Sequence, residues 1–258
     1  MSLITLITDF GSVYPAAMKG VILGIDPRAT IVDISHTVPQ GDIRAGAFAL
    51  YSVVPYFPVG TVHVAVVDPG VGTARNSIVI SAGGHLFVGP DNGLMVPAAS
   101  RLGKIEVRKI TNLGLLGDVS ATFHGRDVFA RIGAYLSEGM PLQEVGEKTL
   151  DHVHLDFGMV EVSETSITGQ VIYIDDFGNV ITNIRAADVL GLIRFGEVVH
   201  IFYRKMPVIR TYGLVDEGKL LALVGSHGFL EIAVNKGNAS KELDVLCNDP
   251  VKLIFSKK

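Results

Sequence analysis

The sequence is poor in cysteine and tryptophan and has no large excess of charge of either sign. It contains one cysteine, Cys247, and no tryptophan, and its 22 basic and 26 acidic residues leave a formal net charge of −4. A single cysteine excludes an intrachain disulfide and a multi-cysteine zinc site, and it suits a reducing compartment. We therefore expect a cytoplasmic protein. The near balance of charge gives no overall attraction to nucleic acid or anionic lipid, so neither is expected as a partner.

Long apolar runs are also missing. The opening MSLITLI is interrupted by Asp9 and has no basic residue before it, so it is too short for a spanning helix and wrongly flanked for a signal peptide. We interpret it as a buried strand and expect no membrane partner. The sequence shows no dinucleotide or phosphate-loop glycine pattern, and its histidines and acids do not have the spacing of a metal site. We expect a small-molecule ligand and no metal.

The order of apolar segments predicts two domains within the 258 residues. In the first part, short apolar runs alternate with helical patterns, which predicts an α/β domain with a mostly parallel sheet and flanking helices. The predicted helices are Pro15–Ile25, Ile43–Val54, Gly93–Leu102 and about Arg126–Ser137. After a mixed polar stretch from residue 139 to about 166, short strands are separated by turns, which predicts a smaller all-β, barrel-like domain. The domains are predicted as 1–160 and 161–258.

Two acids follow predicted strands of the first domain. Asp9 lies in LITDFGS and Asp68 in VVDPGVGTARNSIVI, and the carboxyl ends of parallel strands are where open α/β sheets bind ligands. Asp9 is explained equally well as an acceptor for ribose hydroxyls or as a cap of the next helix. Asp68 alone favours a simple turn, but the nearby Arg75 can form an oriented carboxylate–guanidinium pair with it.

Other polar residues stand in turns. His124, in SATFHGRD, precedes a predicted helix; a lone histidine is usually structural, but a helix start gathers polar groups where a ligand can reach them. Phe177 and Asn179, in IDDFGNVITNI, fit a hairpin turn and also offer an aromatic face and an amide to a purine. Ser226 lies in a glycine-flanked turn and Glu231 on a strand, where solvated surface is the ordinary interpretation.

Six motifs together support a family resemblance. In order they are TDFG, VVDPGVGT, GPDNGL, SATFHGRD, IDDFGNVITN and SHGFLEIAVN. This series resembles the S-adenosyl-L-methionine (SAM) hydrolases, also called SAM hydroxide adenosyltransferases, which are related to the fluorinase and chlorinase. The resemblance implies an α/β domain followed by a β-barrel, and a homotrimer that binds SAM or adenosine between the first domain of one subunit and the second of its neighbour. It also implies that SAM is a substrate, hydrolysed to adenosine and methionine without a cofactor or metal.

The resemblance also assigns roles to residues. Asp68, Arg75 and His124 are implied to act together in catalysis, and the halide-using relatives have tyrosine where this chain has Asp68 and His124. The loop after TDFG is shorter than is usual in the family and lacks an acid, which leaves the methionine amino group without an expected partner. The implied substrate-binding residues are Asp9 (ribose), Asp68, Phe177 and Asn179 (purine), Tyr212 (adenine pocket), Ser226 (methionine end) and, more weakly, Asp175, Glu231 and Val234.

Other functions remain open at this point. A non-catalytic SAM or adenosine sensor would keep the purine pocket but would not need Asp68, Arg75 and His124 together. A SAM-dependent halogenase is disfavoured by Asp68, because a carboxylate repels a halide. A methyltransferase is less favoured still, because no glycine-rich loop of that type follows the first strand. Whether Asp68 or His124 would accept the proton of an attacking water also remains open.

Overall fold

The computed structural model describes residues 2–256. The chain forms two compact units, the first ending at Asp156 and the second beginning at Phe157, whereas the sequence placed the boundary after residue 160. Across the described residues, no helix combines the length and apolar character needed to cross a membrane.

The first unit contains a seven-stranded mixed sheet with helices packed against it, which confirms the predicted fold class. The strand order is β2-β1-β3-β5-β4-β6-β7. The pairs β2–β1, β1–β3 and β3–β5 are parallel. The pairs β5–β4, β4–β6 and β6–β7 are antiparallel. The strands are β1 Leu3–Thr8, β2 Thr30–Ser35, β3 Val62–Val66, β4 Ser77–Ala82, β5 His85–Pro90, β6 Glu106–Lys109 and β7 Lys148–Thr149.

The parallel character ends at β4 because the β4–β5 connection is too short for a crossover. Only Gly83 and Gly84 separate the two strands, and both have positive φ, at 57° and 81°. A parallel pair needs a connection of about a dozen residues or more, so a two-glycine turn can only make a hairpin. The sheet is therefore half parallel rather than mostly parallel.

The helices of the first unit follow the predicted positions, with two differences at their ends. The helix expected from Gly93 starts at Val96, because Gly93 has a φ of +91° and lies in a turn. The helix expected from Arg126 begins as a wide π-helical segment, Gly125–Ala130, and continues as an α-helix. The α-helices are α1 Tyr14–Ile25, α2 Ile43–Val53, α3 Val96–Leu102 and α4 Arg131–Ser137.

The second unit is an antiparallel sheet that curls toward a barrel, as predicted. Its strands run in the order β12-β11-β15-β9-β10-β14-β13, with β8 paired to β9. Val208, just after β12, bridges Ala222 in β13 and so brings the two edges together around an apolar core. Its elements are β8 Glu161–Val162, β9 Ser166–Ile174, β10 Val180–Arg185, α5 Ala186–Leu190, β11 Val198–Ile201, β12 Arg204–Pro207, β13 Leu220–Val224, β14 Phe229–Val234, α6 Ala239–Leu243 and β15 Pro250–Ile254.

Candidate active site

The turn that follows β3 carries Asp68 and Arg75 toward the segment that holds His124. Gly72, in this turn, has a φ of +76°, and a Cβ there would lie 2.5 Å from the carbonyl oxygen of Ala121. A side chain cannot occupy that space, and a non-glycine residue at that φ is strained. Glycine at position 72 therefore allows the two segments to touch.

A second glycine brings the His124 segment against the end of β1. A Cβ on Gly125 would lie 2.7 Å from the ring of Phe10, which directly follows Asp9. Gly125 also starts the π-helical segment, a rare conformation that is frequent at functional sites. His124 therefore lies directly before the π-helical segment, close to the carboxyl ends of the parallel strands.

Arg75 connects the other two predicted catalytic residues, Asp68 and His124, through hydrogen bonds. Its Nε donates to both carboxylate oxygens of Asp68, at 3.0 and 3.1 Å, and its Nη2 donates to Asp68 Oδ2 at 2.5 Å and to His124 Nδ1 at 2.8 Å. Its Nη1 donates to Ser77 Oγ at 2.8 Å and to the carbonyl of Asn76 at 3.3 Å. A guanidinium has five N–H groups, and this geometry gives each of them an acceptor. The structure therefore places Asp68, Arg75 and His124 in one cluster.

The cluster is shielded from solvent. The side chains of Asp68 and Arg75 are 4% and 11% exposed, and the Phe129 ring centroid lies 5.2 Å from the guanidinium carbon. Charge-assisted, two-pronged contacts of this kind hold both groups in one orientation. Asp68 is therefore a fixed carboxylate, and Arg75 has no N–H left to donate to a ligand.

The contact with Arg75 determines which ring nitrogen of His124 carries hydrogen. A guanidinium can only donate, so Nδ1 must accept, and the neutral ring has its hydrogen on Nε2. Burial lowers the pKa of His124, the Arg75 cation lowers it further, and Asp68 and Asp127 oppose this. Nε2 has no partner among the described residues and is not sealed from solvent. His124 thus presents an N–H donor on its open side.

Asp9 lies at the end of β1, next to β3, but does not cap the following helix. Its Oδ2 accepts a hydrogen bond from Gly41 N at 2.8 Å, and α1 begins after Val13 without a side-chain cap. The Cβ position of Gly41 is 3.9 Å from the Cβ of Pro69, in the turn that begins at Asp68. The helix-cap interpretation of Asp9 is therefore wrong, and the residue belongs to the same edge of the sheet as Asp68.

The second unit has a cavity of about 460 Å³ that collects most of the predicted purine-site residues. Phe177 and Asn179 line it from the turn between β9 and β10, Tyr212 from a short 3-10 turn between β12 and β13, and Val234 from the end of β14. Its six lining residues are Phe177, Asn179, Tyr212, Val234, Lys236 and Gly237.

Asp175 and Glu231 stand behind this cavity rather than lining it. Asp175 accepts from the backbone N–H groups of Phe177 and Asn179, at 2.9 and 2.8 Å, and from Asn179 Nδ2 at 2.9 Å. Glu231 accepts from the Tyr212 hydroxyl at 2.6 Å. Glu231 is only 4% exposed, so the solvated-surface interpretation of this residue is wrong.

Ser226 and His227 lie together in the turn between β13 and β14. Ser226 is exposed and is not among the residues that line the cavity. His227 was missed by the sequence analysis, although it lies inside the motif SHGFLEIAVN: its Nε2 is 3.2 Å from Glu231 Oε2, and its Nδ1 accepts from Phe229 N at 3.2 Å. Ser77 was missed as well, because nothing in a strand sequence marks it as a partner of Arg75.

No group of three or more histidine, cysteine, aspartate or glutamate side chains within residues 2–256 is arranged to hold a metal ion. The polar cluster consists instead of one carboxylate, one guanidinium and one imidazole joined by direct hydrogen bonds. With the mixed α/β unit and the antiparallel near-barrel, this defines a two-domain α/β-plus-β protein that carries its polar cluster at the edge of the first sheet.

Comparison with known proteins identifies the family. Residues 4–146 match the SAM hydroxide adenosyltransferase N-terminal domain and residues 169–252 match the C-terminal domain of the same family. The chain therefore belongs to the SAM hydroxide adenosyltransferase family. It is 41% identical to the (R)-S-adenosyl-L-methionine hydrolase of Salinispora arenicola, with 97% of each chain covered.

Two further relatives complete the comparison. The crystal structure of an uncharacterized conserved protein from Thermotoga maritima is similar with a TM-score of 0.92 and 39% identity, over 98% of this chain and 99% of the other. The fluorinase of an Actinoplanes species is more distant, at 27% identity over 90% of this chain and 91% of its own.

Proposed function

We propose that this protein is an enzyme that hydrolyses SAM to adenosine and L-methionine by attack of water on the 5′ carbon. The observation that carries the proposal is the single guanidinium of Arg75 bonded to both Asp68 and His124, in a chain 41% identical to an (R)-SAM hydrolase. By analogy with that relative, we propose the (R) configuration at sulfur for the substrate.

The nucleophile is water that loses its proton during the attack, not a resident hydroxide. The pKa of bulk water lies about 9 units above neutral pH, and a nearby cation lowers a pKa by only roughly 1 to 3 units, so the field of Arg75 leaves the water un-ionised at neutral pH. The leaving group needs no proton, because a sulfonium departs as a neutral thioether. The catalytic task therefore lies on the side of the nucleophile, in orienting water and accepting its proton.

The hydrogen bonds of the cluster divide these roles between Asp68 and His124. His124 can accept a further proton only at Nδ1, where Arg75 already donates, so its Nε2–H serves as a donor that orients the water oxygen. Asp68 is acceptor-only and is held rigidly by Arg75. We assign proton acceptance to Asp68, orientation of water to His124, and positioning of both to Arg75.

The remaining residues are proposed to bind the substrate. Gly41 N occupies Oδ2 of Asp9, which leaves Oδ1 for the ribose diol. Phe177, Asn179, Tyr212 and Val234 line a cavity of about 460 Å³, within the size range of small-molecule sites. Ser226 is proposed for the methionine end.

Isosteric substitution tests the catalytic assignment. We expect Asp68→Asn to lower kcat for adenosine release by about 10² to 10⁴, the usual contribution of a general base, with a smaller change in KM. Adenosine is measured by chromatography, with the two sulfonium epimers of SAM supplied separately. Asp118→Asn, an exposed carboxylate in the same unit, is the matched control. Near-native turnover by Asp68→Asn would overturn the role of Asp68, and recovery of intact SAM from the native protein would favour a sensor.

We further propose a homotrimer in which a first unit of one subunit and a second unit of its neighbour serve one substrate. This rests on the family resemblance. Sedimentation equilibrium tests the stoichiometry, and mixing two inactive variants tests the sharing. Asp68→Asn and Asn179→Ala change different units, so refolding them together should restore part of the activity if neighbours share a site and none if each subunit acts alone.

A further inference from the structure

The motif GPDNGL, residues 89–94, supplies none of the predicted site residues. Its two polar residues, Asp91 and Asn92, directly follow β5, which lies between β3 and β4 in the sheet. The chain leaves β3 into the turn that carries Asp68 and Arg75, and it enters β4 where that turn ends. The motif therefore lies beside both ends of the catalytic turn.

Asn92 holds the beginning of this turn. Its Nδ2 donates to the carbonyl of Val67 at 2.7 Å, and its Oδ1 accepts from Leu94 N at 3.1 Å. Val67 directly precedes Asp68 and is fully buried, so its carbonyl is shielded from water and needs a partner in the protein. A backbone N–H only donates, so Oδ1 must face Leu94 and the NH₂ must face Val67. The amide therefore has one orientation, with its donor on the residue before Asp68.

Asp91 holds the other end of the turn. Its backbone N–H donates to the carbonyl of Asn76 at 3.0 Å, and that carbonyl also accepts from Arg75 Nη1 at 3.3 Å. The Asp91 carboxylate accepts from Val153 N at 2.8 Å and from Asn76 Nδ2 at 3.4 Å. Two neighbouring residues thus hold the catalytic turn at both ends, one next to Asp68 and the other next to Arg75.

We propose that Asn92 is a positioning residue for the proposed hydrolysis: by holding the Val67 carbonyl, it fixes the place of the Asp68 carboxylate in the catalytic cluster. Its hydrogen bond is to the backbone beside Asp68, so its effect passes through the position of the turn. Misplacement of a reacting group by about 1 Å can lower a rate by about 10²-fold. The inference rests on the proposed function, because it takes Asp68 as the group that accepts the proton of water.

Asn92→Asp separates this positioning from a purely local role. Aspartate keeps the acceptor for Leu94 N, but it sets a carboxylate oxygen against the Val67 carbonyl where the amide placed a donor. We expect kcat for adenosine release from SAM to fall by about 10- to 100-fold, with KM changed by no more than about twofold because the substrate-binding residues are untouched. A native kcat would overturn the proposal, since aspartate would fully replace a residue that only closed the turn before α3.

The titration of His124 gives a second measurement that does not depend on turnover. Asn92→Ala neither adds nor removes a charge, so the pKa of His124 changes only if the groups around the ring are displaced. Burial and the Arg75 cation lower this pKa more than the nearby carboxylates raise it. A displaced turn should therefore let the pKa rise toward its ordinary value of 6.5, as measured by proton NMR. An unchanged pKa in Asn92→Ala would overturn the proposal even if kcat fell.

Asn112→Asp is the matched control. Asn112 also lies in the first unit, and its Nδ2 also donates to a backbone carbonyl, that of Glu144, at 2.9 Å, but it is exposed and its partner lies outside the catalytic turn. Asn112→Asp should keep the native kcat and the native pKa of His124. All assays are run below the Tm of each variant, so that lost activity does not reflect unfolding.

The two measurements also separate this proposal from the proposed reaction. If the native protein does not hydrolyse SAM, the proposed function fails, and a raised pKa of His124 in Asn92→Ala would still support the placement of the turn by Asn92. Hydrolysis by the native protein with native kcat in Asn92→Asp and an unchanged pKa in Asn92→Ala is the reverse case, in which the function stands and the positioning role fails.

Discussion

At the scale of single residues, Arg75 does more than pair with a nearby acid. Sequence spacing suggested a carboxylate–guanidinium pair, but the structure also shows His124, Ser77 and the Asn76 carbonyl as acceptors of the same group. A side chain with every donor in use is a positioning element. Its effect on a ligand passes through Asp68 and His124 rather than through direct contact.

This arrangement predicts the titration of His124. Its pKa lies below the ordinary 6.5, because burial and the Arg75 cation both disfavour the charged ring. The ring is therefore neutral at and above pH 6.5 and becomes charged only as the pH falls below its lowered pKa, where Nδ1 would hold a proton facing the guanidinium. Removing the cation in Arg75→Gln should raise the pKa toward its ordinary value.

Proton NMR of the His124 ring measures this titration without relying on activity. Arg185→Gln, which removes an exposed arginine of the second unit, should leave the pKa of His124 where it is. A pKa that does not rise in Arg75→Gln would show that the contact between Arg75 and His124 is not made in solution.

At the scale of elements, two turns decide where the polar residues meet. The motif VVDPGVGTAR predicts a turn but not the part of the protein against which the turn packs. The structure shows that the turn packs at Gly72 against the backbone of Ala121. The β9–β10 turn is similar, because Asp175 holds the backbone of the residues that it presents to the cavity. The sequence of a turn predicts its local conformation, but it does not predict the surface against which the turn packs.

Gly72→Ala tests this packing. The positive φ alone costs about 1 to 2 kcal/mol for a residue with a side chain, and the 2.5 Å approach to the Ala121 carbonyl adds a displacement of the turn. We expect an adenosine release rate reduced by at least about tenfold, as misplacement of reacting groups by an ångström produces. Enzyme assays and thermal unfolding are measured together.

Gly60→Ala is the control, since Gly60 also has a positive φ, of 93°, but nothing lies within 4 Å of its Cβ position. The Gly60→Ala variant should lose about as much stability as the positive φ alone costs in Gly72→Ala, but it should keep its activity. Equal activity of the two variants would show that the turn can reach its place without glycine at position 72.

At the scale of the whole molecule, the apolar core of the first unit contains a histidine network that takes no part in the proposed reaction. His63 is fully buried; its Nδ1 lies 2.7 Å from Thr5 Oγ1 and its Nε2 lies 3.2 Å from His85 Nδ1. Burial, and the nearby His85, lower the pKa of His63 to about 3. The folded protein therefore holds this ring neutral.

The network predicts that the first unit loses stability in mild acid. The unfolded chain protonates His63 near its ordinary value of 6.5 and the folded chain only near 3, so the unfolded state binds more protons between those values. Stability then falls as the pH falls from 6.5, by up to about 1.4 kcal/mol per pH unit for one proton. His63→Gln should flatten the decrease in Tm between pH 6.5 and 4.

Circular dichroism at a series of pH values measures this dependence. His200→Gln, at an exposed position of β11, is the control and should retain the full slope. A slope for His63→Gln as steep as that of the native protein would show that other groups, such as His85, whose pKa burial also lowers, dominate the acid sensitivity.

The sequence by itself determined the fold class, the order of most elements and the types of residue available for chemistry. Apolar periodicity and turn residues are local properties, and they are sufficient for these predictions. They also placed Asp9 and Asp68 at the ends of predicted strands of a parallel sheet. That these strands, β1 and β3, are parallel neighbours is shown only by the structure.

Only the tertiary structure decided how those residues are used. The tautomer of His124 depends on Arg75, 49 positions away in the chain, and the direction of the Tyr212 hydroxyl hydrogen depends on Glu231, 19 positions away on β14. The orientation of a hydrogen-bonding group is fixed only when a partner lies within about 3 Å of it. Such partners are brought together by packing and by close glycine contacts, which no local pattern in the sequence records.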